Sequence, residues 1–299
     1  MGFLVVMARF LFLTIDGLAM GAVYATFALS LVLIWRAARI VNFAQGALSV
    51  AAAYVAWSVG SRVGGWWLGL LLAALVGALL GVLMQRVALR RLGPERHLDA
   101  IIVAIGVAMV VQAVVGMAYG LQYRPLPAPV SQTVLTVGGV PTLSPYKLLV
   151  LGAVALLVVG LALLFSRTAV GLRLRASALA PEVSRLLGVE VERMTTLAWG
   201  LSAGVGAFAA MLVLPTGPGL HATAMDGVFI TAFTAAVLGG LDSVVGAVVG
   251  GFAVGLVLNY VTGYTDEPNL APVAVLGLLL AVLLVRPNGV FAGPTIRRA

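Results

Sequence analysis

The stretch RTAVGLRLRASALAPEVSRLLGVEVER, residues 167–193, separates two long apolar runs of this chain. It contains five arginines and three glutamates, in a chain in which only 9% of residues are charged. A few polar residues are enough to join two membrane spans, whereas this segment is longer and has helical signals of its own. We therefore expect residues 167–193 to emerge from the bilayer and to receive force from a soluble partner. We call these residues the coupling segment.

The composition of the chain is that of an integral membrane protein. Of its 299 residues 62% are hydrophobic, and the mean hydropathy is +1.13. Soluble domains are roughly 45–50% apolar and about 25% charged. Apolar runs of about 20 residues, the length that crosses a bilayer as a helix, recur along the whole chain. The short alternating segments of a transmembrane β-barrel do not occur, so the predicted fold class is an all-α, polytopic transmembrane helical bundle.

Hydropathy predicts a single transmembrane domain over residues 1–299, with eight or nine membrane segments. The candidate segments are 10–35, 41–59, 66–86, 98–119, 147–165, 194–214, 228–241, 244–262 and 271–286. Segments 41–59 and 228–241 contain several polar residues, and either can enter the membrane only partway. Irregular backbone is tolerated at membrane depth where protein or a water-filled cavity surrounds it.

The basic residues fix an expected orientation. Placing loops 36–40, 86–97 and 166–193 and the C-terminus in the cytoplasm collects 14 of the 18 basic residues there, as the positive-inside rule requires. The net charge of +8 is therefore explained by membrane topology, and no nucleic-acid partner is expected. The N-terminal run MGFLVVMARFLFLTIDG has no small-residue cleavage site, so we interpret it as retained.

Several kinds of chemistry are excluded by residue type. The chain has no cysteine, which rules out disulfides and cysteine-bound metals. It has no phosphate-binding loop of the GxxxxGK[ST] type and no HExxH. Asp16, Asp226 and Asp242 are all expected near span ends, which argues against a proton- or cation-coupled transporter. We expect no enzyme activity, cofactor or metal, and energy for uphill transport would come from another polypeptide.

Two sets of residues inside the predicted spans have spacing or polarity that suggests a role. Glycines four residues apart let helix backbones approach closely; these pairs are Gly17/Gly21, Gly77/Gly81, Gly116/Gly120, Gly246/Gly250 and Gly251/Gly255. Neutral polar side chains are expected to line a translocation path that passes a solute without gripping it. The path candidates are Asn42, Gln45, Ser49, Thr231 and Thr234, with further neutral polarity at Gln112 and Ser202.

The coupling segment contains signals for a short amphipathic helix around residues 181–188. Pro181 suits a first helical position and Gly188 the position just past a helix end. Val183, Leu186 and Leu187 share one face as an apolar stripe, with Ser184 and Arg185 pointing away from it. Arg173 and Arg175 are placed to contact lipid phosphates. The residues alone leave two interpretations open: docking of a soluble partner, or a passive helix on the membrane surface.

Four blocks of the sequence resemble the integral-membrane permeases of bacterial branched-chain amino acid ABC importers, in particular the shorter, LivH-type member of the permease pair. They are DGLAMGAVYATFALSLVLIW with RIVNFAQGALSVAAAYVA (16–56), LRASALAPEVSRLLGVEVERM (174–194), FTAAVLGGLDSVVGAVVGG (233–251) and LLVRPNGVFAG (283–293). The blocks occur in the family's order and cover most of the chain.

This resemblance implies that the second block is the element that inserts into an ATPase subunit. The implied coupling residues are Arg175, Ala176, Glu182, Arg185, Leu186, Leu187 and Gly188. It also implies that the NFAQG block, residues 42–46, lies near the translocation path. In the third block, Gly239, Gly240, Gly246 and Gly250 are assigned to helix packing or to a re-entrant turn.

The resemblance also implies the assembly and its location. The partners would be a second permease subunit, two ATP-binding subunits, an extracytoplasmic solute-binding protein and membrane lipid, in a bacterial cytoplasmic (inner) membrane. The chain departs from the family pattern at Gln45 and Ala47, where His and Glu are frequent, and at Asp242 and Val245. The predicted function is that of the permease subunit of an ABC importer for branched-chain (hydrophobic) amino acids, driven by the separate ATP-binding subunits. A related permease for urea, short amides or aromatic acids is the alternative within transport. A passive channel and a structural scaffold are the alternatives from other classes.

Overall fold

The computed structural model confirms the predicted all-helical class. It describes residues 2–63, 65–90, 92, 97–137, 140–141, 143–217, 219–265, 267, 270–286 and 289–291. In these ranges the helices are α1 Gly2–Ala38, α2 Gln45–Val63, α3 Gly65–Leu83, α4 His97–Tyr119, α5 Pro145–Arg167, α6 Ala169–Leu179, α7 Pro181–Leu186, α8 Val191–Val213, α9 Asp226–Gly239, α10 Val244–Thr265 and α11 Leu270–Val285. A π-helical turn, Met84–Leu89, continues α3, and a 3₁₀ turn, Leu214–Thr216, follows α8.

The strand content of the described ranges is a two-stranded antiparallel hairpin in the loop between α4 and α5. Its strands are β1 Thr136–Val137 and β2 Val140–Pro141, with Thr136 opposite Pro141.

Six described helices are long and apolar enough to cross a membrane. They cover Val6–Ala38, Gly65–Leu89, Leu98–Tyr119, Pro145–Arg167, Val191–Thr216 and Val244–Thr265. The apolar helices Asp226–Gly239 and Leu270–Val285 are shorter. These lengths establish a multi-pass membrane protein, and the count of eight or nine membrane segments stays a prediction. The C-terminal residues 292–299 lie outside the described ranges, as do residues 93–96 of the predicted cytoplasmic loop 86–97. The cytoplasmic placement of the C-terminus also stays a prediction.

Internal contacts divide the chain into two units. The first comprises residues 1–28, 128–155 and 230–299, and the second residues 29–127 and 156–229. The expectation of a single domain over residues 1–299 stays a prediction.

In the first unit, α10 packs closely against α1 and α9 through glycines. A Cβ added at Gly251 would overlap the backbone of Ala25, and one at Gly255 would overlap that of Gly21. Such overlap requires glycine at these positions, because the two backbones are in direct contact. The GxxxG spacing of α10 thus corresponds to a helix contact without intervening side chains.

In the second unit, α3 and α8 pack through small residues on both sides. A Cβ at Gly77 would lie 2.8 Å from the Ala203 carbonyl oxygen, and a Cβ at Gly204 would lie 2.9 Å from that of Ala74. The Gly116/Gly120 pair is different and corrects the expectation of a packing pair. Gly120 follows the end of α4 with φ +85°, and a Cβ there would meet nothing within 4 Å.

The larger core of the second unit lies where α2, α3, α4 and α8 meet. Trp199 of α8 is its largest side chain, 1% exposed, and packs in one cluster with Leu48, Met84 and Ala104. The buried part of α8 begins at Ala198 and Trp199. Because α8 follows directly on the coupling segment, that segment joins a packed core at its C-terminal side.

Candidate functional site

The coupling segment forms two consecutive helices, α6 and α7, between the long helices α5 and α8. Thr168 caps α6: its side-chain oxygen accepts a hydrogen bond from the Gly171 N–H at 3.0 Å. A Cβ at Gly171 would overlap the backbone of Leu164 and Phe165, so only glycine allows α6 to fold back this tightly against the end of α5. The turn between α5 and α6 is therefore fixed by two residues.

Helix α7 is fixed at both ends although it is only six residues long. Pro181 occupies its first turn. At the other end the Gly188 N–H donates to the Arg185 carbonyl at 3.0 Å, and the Val189 N–H donates to that of Ser184 at 2.9 Å. These two bonds, with Gly188 at φ +79°, are a Schellman cap. The helix predicted over 181–188 thus ends at Leu186, and its last two residues form the capping turn.

The apolar stripe of α7 is exposed. Val183 is 55%, Leu186 87% and Leu187 78% exposed, while Ser184 on the opposite face is 3% exposed. Burial of the serine face sets the orientation of α7, which packs on α6 and α8. Isolated exposed leucines are common, but three apolar side chains on one face of a capped helix form a patch that the described part of the chain leaves uncovered.

The other predicted coupling residues lie on α7, which carries this patch, and on the preceding helix α6. Arg175 of α6 is exposed and Ala176 is half-buried, while Glu182 and Arg185 are exposed on α7. Arg193, at the start of α8, forms an ion pair with Glu190 at 2.7 Å. The patch therefore has an apolar centre and a charged rim, which is the usual arrangement of a docking surface.

Asn42 and Gln45 lie in a buried polar network at the start of α2. The Asn42 side-chain oxygen accepts from the Ala44 N–H at 3.0 Å, and its Nδ2 donates to Gln45 Oε1 at 2.8 Å. Gln45 Nε2 donates in turn to the Ser202 carbonyl of α8 at 3.0 Å and lies 3.3 Å from Ser30 Oγ of α1. The network ties three helices of the second unit together.

This network is sealed from solvent, and the path candidate Ser49 belongs to its surroundings. Asn42, Gln45 and Ser49 are all 0% exposed. The Ser49 hydroxyl donates to the Gln45 carbonyl at 2.7 Å. On the α8 side, a Cβ at Gly206 would overlap the Gln45 amide and lie 2.9 Å from Ser49 Oγ. These side chains can contact a passing solute only in a conformation that separates α2 from α8.

The remaining path candidates are in the first unit. Thr234 is 2% exposed, and its hydroxyl donates to the Ile230 carbonyl one turn earlier in α9, at 3.0 Å. Thr231 on the same helix is half-buried. The five path candidates thus fall into one network of three residues and one pair on α9.

The glycines of the third block have two different roles. A Cβ at Gly239 of α9 would overlap the Gly246 backbone of α10, and one at Gly250 would overlap the Ala235 carbonyl. Gly240 ends α9 in the turn before α10, with φ +95°. It is therefore a turn residue, since an L side chain rarely adopts that backbone conformation.

Two charged contacts were not assigned a role from the sequence. Asp16 lies 14 residues after the start of α1, because this helix begins at Gly2 and not near residue 10. The Asp16 carboxylate forms an ion pair with Lys147 of α5. Asp226, the first residue of α9, accepts hydrogen bonds from Gln112 of α4. The signal available in the sequence was the Gln112 amide within the otherwise apolar run of residues 100–118. Among the described residues no group of three or more His, Cys, Asp or Glu is arranged to hold a metal.

The fold defines a multi-pass helical membrane protein in which two short helices, α6 and α7, separate the long helices α5 and α8. A family model described as the permease component of branched-chain amino acid transport systems matches residues 13–284. The chain belongs to this family, which confirms the resemblance found in the sequence.

Individual relatives match the chain over nearly its full length. The high-affinity branched-chain amino acid transport system permease protein BraD of Pseudomonas aeruginosa is 28% identical, over 95% of this chain and 96% of BraD. The corresponding protein LivH of Escherichia coli K12 is 28% identical with the same coverage. A probable branched-chain amino acid transport permease protein LivH of Methanocaldococcus jannaschii is 26% identical, over 88% of this chain and 86% of its own.

One solved structure has a similar fold. PsaBC from Streptococcus pneumoniae, solved in complex with Fab, superimposes with a TM-score of 0.52 over 91% of both chains. Its sequence identity is 10%, so this likeness concerns the fold alone.

Proposed function

We propose that this chain is the transmembrane permease subunit of an ABC importer that carries branched-chain amino acids, driven by ATP hydrolysis in separate subunits. Support comes from the family match, from relatives that are branched-chain amino acid permeases, and from six apolar helices long enough to span a membrane. A sequence without a phosphate-binding loop fits a subunit that receives energy from a partner.

The observation that carries the coupling proposal is the exposure of Leu186 and Leu187 on a helix fixed at both ends. In the complete importer these side chains enter a groove of an ATPase subunit, and Glu182 and Arg185 form polar contacts at its edge. Arg175 and Ala176 contribute from α6, and Gly188 keeps the short helix in shape. Movement of the ATPase pair then passes to α8 through the rigid connection at its start.

Transport by alternating access requires the membrane helices to exchange two arrangements. The network of Asn42, Gln45 and Ser49 is closed in this structure, so in this proposal it opens in the other arrangement and exposes its amides to the path. Thr231 and Thr234 line the path from α9. Weak contacts of this kind favour passage, and affinity resides in the binding protein.

The proposed assembly contains a second permease subunit, two ATP-binding subunits and an extracytoplasmic solute-binding protein. It lies in a bacterial cytoplasmic membrane with eight or nine segments from this chain. Loops 36–40, 86–97 and 166–193 and the C-terminus face the cytoplasm, as the distribution of arginine indicates.

The test of this proposal replaces Leu186 and Leu187 together with Glu. Two buried carboxylates prevent docking, so the ATPase subunits should no longer co-purify with the permease, and ATP-dependent leucine uptake into proteoliposomes should be lost. Leu121→Glu is the matched control, because Leu121 is 72% exposed but lies beyond α4, outside the coupling segment. Retained ATPase binding and uptake in the double variant would refute the coupling proposal, and wild-type proteoliposomes that import no leucine would refute the solute.

A further inference from the structure

A carboxylate and an amide from different helices of the second unit meet at the start of α9. Gln112 Nε2 of α4 donates to both carboxylate oxygens of Asp226, at 3.1 and 3.3 Å. Asp226 itself is exposed. The two bonds fix the direction of the carboxylate and leave it accessible from outside the chain.

The Gln112 side of this contact lies inside a helix that is long and apolar enough to cross a membrane. Gln112 is seven residues, or about 10 Å, before the end of α4 at Tyr119. On the same face of α4 as Gln112, Met109 is 66% and Ile105 44% exposed, so the carboxylate lies on the side of α4 that carries these apolar side chains. A carboxylate facing lipid at this depth is costly, and acidic groups within membrane segments therefore face protein or a water-filled cavity.

The negative charge of Asp226 is not neutralised within the described part of the chain. Gln112 is uncharged, and no arginine or lysine there forms an ion pair with Asp226. Asp16, by comparison, is paired with Lys147. The ring of His221, which lies on the loop before Asp226, is engaged with Thr223 Oγ1 at 2.9 Å and is stacked on Tyr123.

We propose that Asp226, oriented by Gln112, binds the α-ammonium group of the amino acid in transit, while the exposed apolar side chains of α4 contact the solute's hydrocarbon side chain. This inference rests on the proposed function and adds the group that recognises the solute within the membrane. A carboxylate beside an apolar surface matches a molecule that has an ammonium group and a branched hydrocarbon chain. Urea and short amides have neither, so the same geometry separates the two solute classes.

The first experiment compares two variants in the complete importer with its binding protein, in proteoliposomes. Asp226→Asn removes the charge and keeps the size, whereas Asp226→Glu keeps the charge. ATP-dependent leucine uptake should be at least fivefold higher with Glu than with Asn at this position, and a smaller ratio overturns the proposal. Glu267→Gln, which removes one negative charge from the loop before α11, is the control and should import leucine at the wild-type rate.

A second experiment uses the unmodified chain and decides the question if the Asn variant fails to assemble. A carbodiimide with an amine nucleophile modifies accessible carboxylates, and mass spectrometry follows the modification of Asp226 in the purified importer. Leucine should slow this modification, whereas 4-methylpentanoic acid, which lacks the ammonium group, should not. Equal effects of the two compounds, or no effect of either, overturn the proposal. Leucine uptake by the wild-type importer shows separately whether the proposed function holds.

Discussion

Replacing Gln45 with Leu tests whether the buried amide network holds α2 against α8. The side chains are similar in size, so the change removes hydrogen bonds with little change in volume. Three contacts are lost: those to Asn42 Nδ2 at 2.8 Å, to the Ser202 carbonyl at 3.0 Å and to Ser30 Oγ at 3.3 Å.

The expected loss of stability follows from the groups left behind. Asn42 is fully buried, and an unsatisfied buried donor costs about 1–3 kcal/mol. The Ser202 carbonyl loses an additional donor, and single interhelical hydrogen bonds in membrane proteins average about 0.6 kcal/mol. The contact to Ser30, at 3.3 Å, is too long to add much. We expect a total of about 2 kcal/mol, which in a chain of 299 residues corresponds to a fall in Tm of about 3 °C.

The assay is thermal unfolding of the purified permease in detergent, followed by the fraction that stays monodisperse. Ser58→Ala is the matched control on the same helix, since the Ser58 hydroxyl donates to the Val55 carbonyl at an exposed site. This control should change stability by less than about 0.5 kcal/mol. If Gln45→Leu lowers the Tm no more than Ser58→Ala, the network contributes nothing to the contact between α2 and α8 and the reasoning is refuted.

Three further tests use substitutions at other contacts. Gly206→Ala places a Cβ against the Gln45 amide and should lower the Tm by several degrees. Its control is Gly152→Ala, which should leave the Tm unchanged or raise it because a Cβ there meets nothing within 4 Å. Equal shifts of Tm in the two variants would contradict the packing of α2 against α8. Gly188→Ala forces an L side chain to φ +79° and should cost about 1 kcal/mol at the end of α7. The measurement is amide hydrogen exchange over residues 181–189, which should become faster, with the exchange rate of Gly188→Asn between those of Gly188→Ala and the wild type. Asp16→Asn and Lys147→Met should each lower the Tm more than the double variant does, because each single change leaves a partly buried charge unpaired. If the losses of Tm simply add in the double variant, the two side chains are not energetically coupled.

The sequence was sufficient to predict the helices and their order. Each of the nine hydropathy segments corresponds to one long or apolar helix, and residues such as Pro181 and Gly188 predict the ends of α7 because their backbone preferences are local. Contacts between distant residues were not predictable. The periodicity of 181–187 identifies an apolar stripe but does not show that the Ser184 face is the buried one, which depends on α6 and α8. Likewise, the GxxxG spacing of Gly116/Gly120 resembles that of Gly251/Gly255, although only the latter contacts another helix.

The polar residues inside the spans show the same limit. An amide in an apolar run either satisfies a partner within the protein or faces the solute, and composition does not separate these roles. Geometry does so in this conformation: the Gln45 amide contacts Asn42 and Ser202 and is 0% exposed, whereas Gln112 orients the exposed carboxylate of Asp226. A closed network can contribute to transport only after rearrangement, and its breakage costs stability. An accessible carboxylate without a paired lysine or arginine in the described chain can bind a cation as it stands. The two amides therefore predict opposite phenotypes: replacing Gln45 should mainly change stability, whereas neutralising Asp226 should mainly change solute uptake.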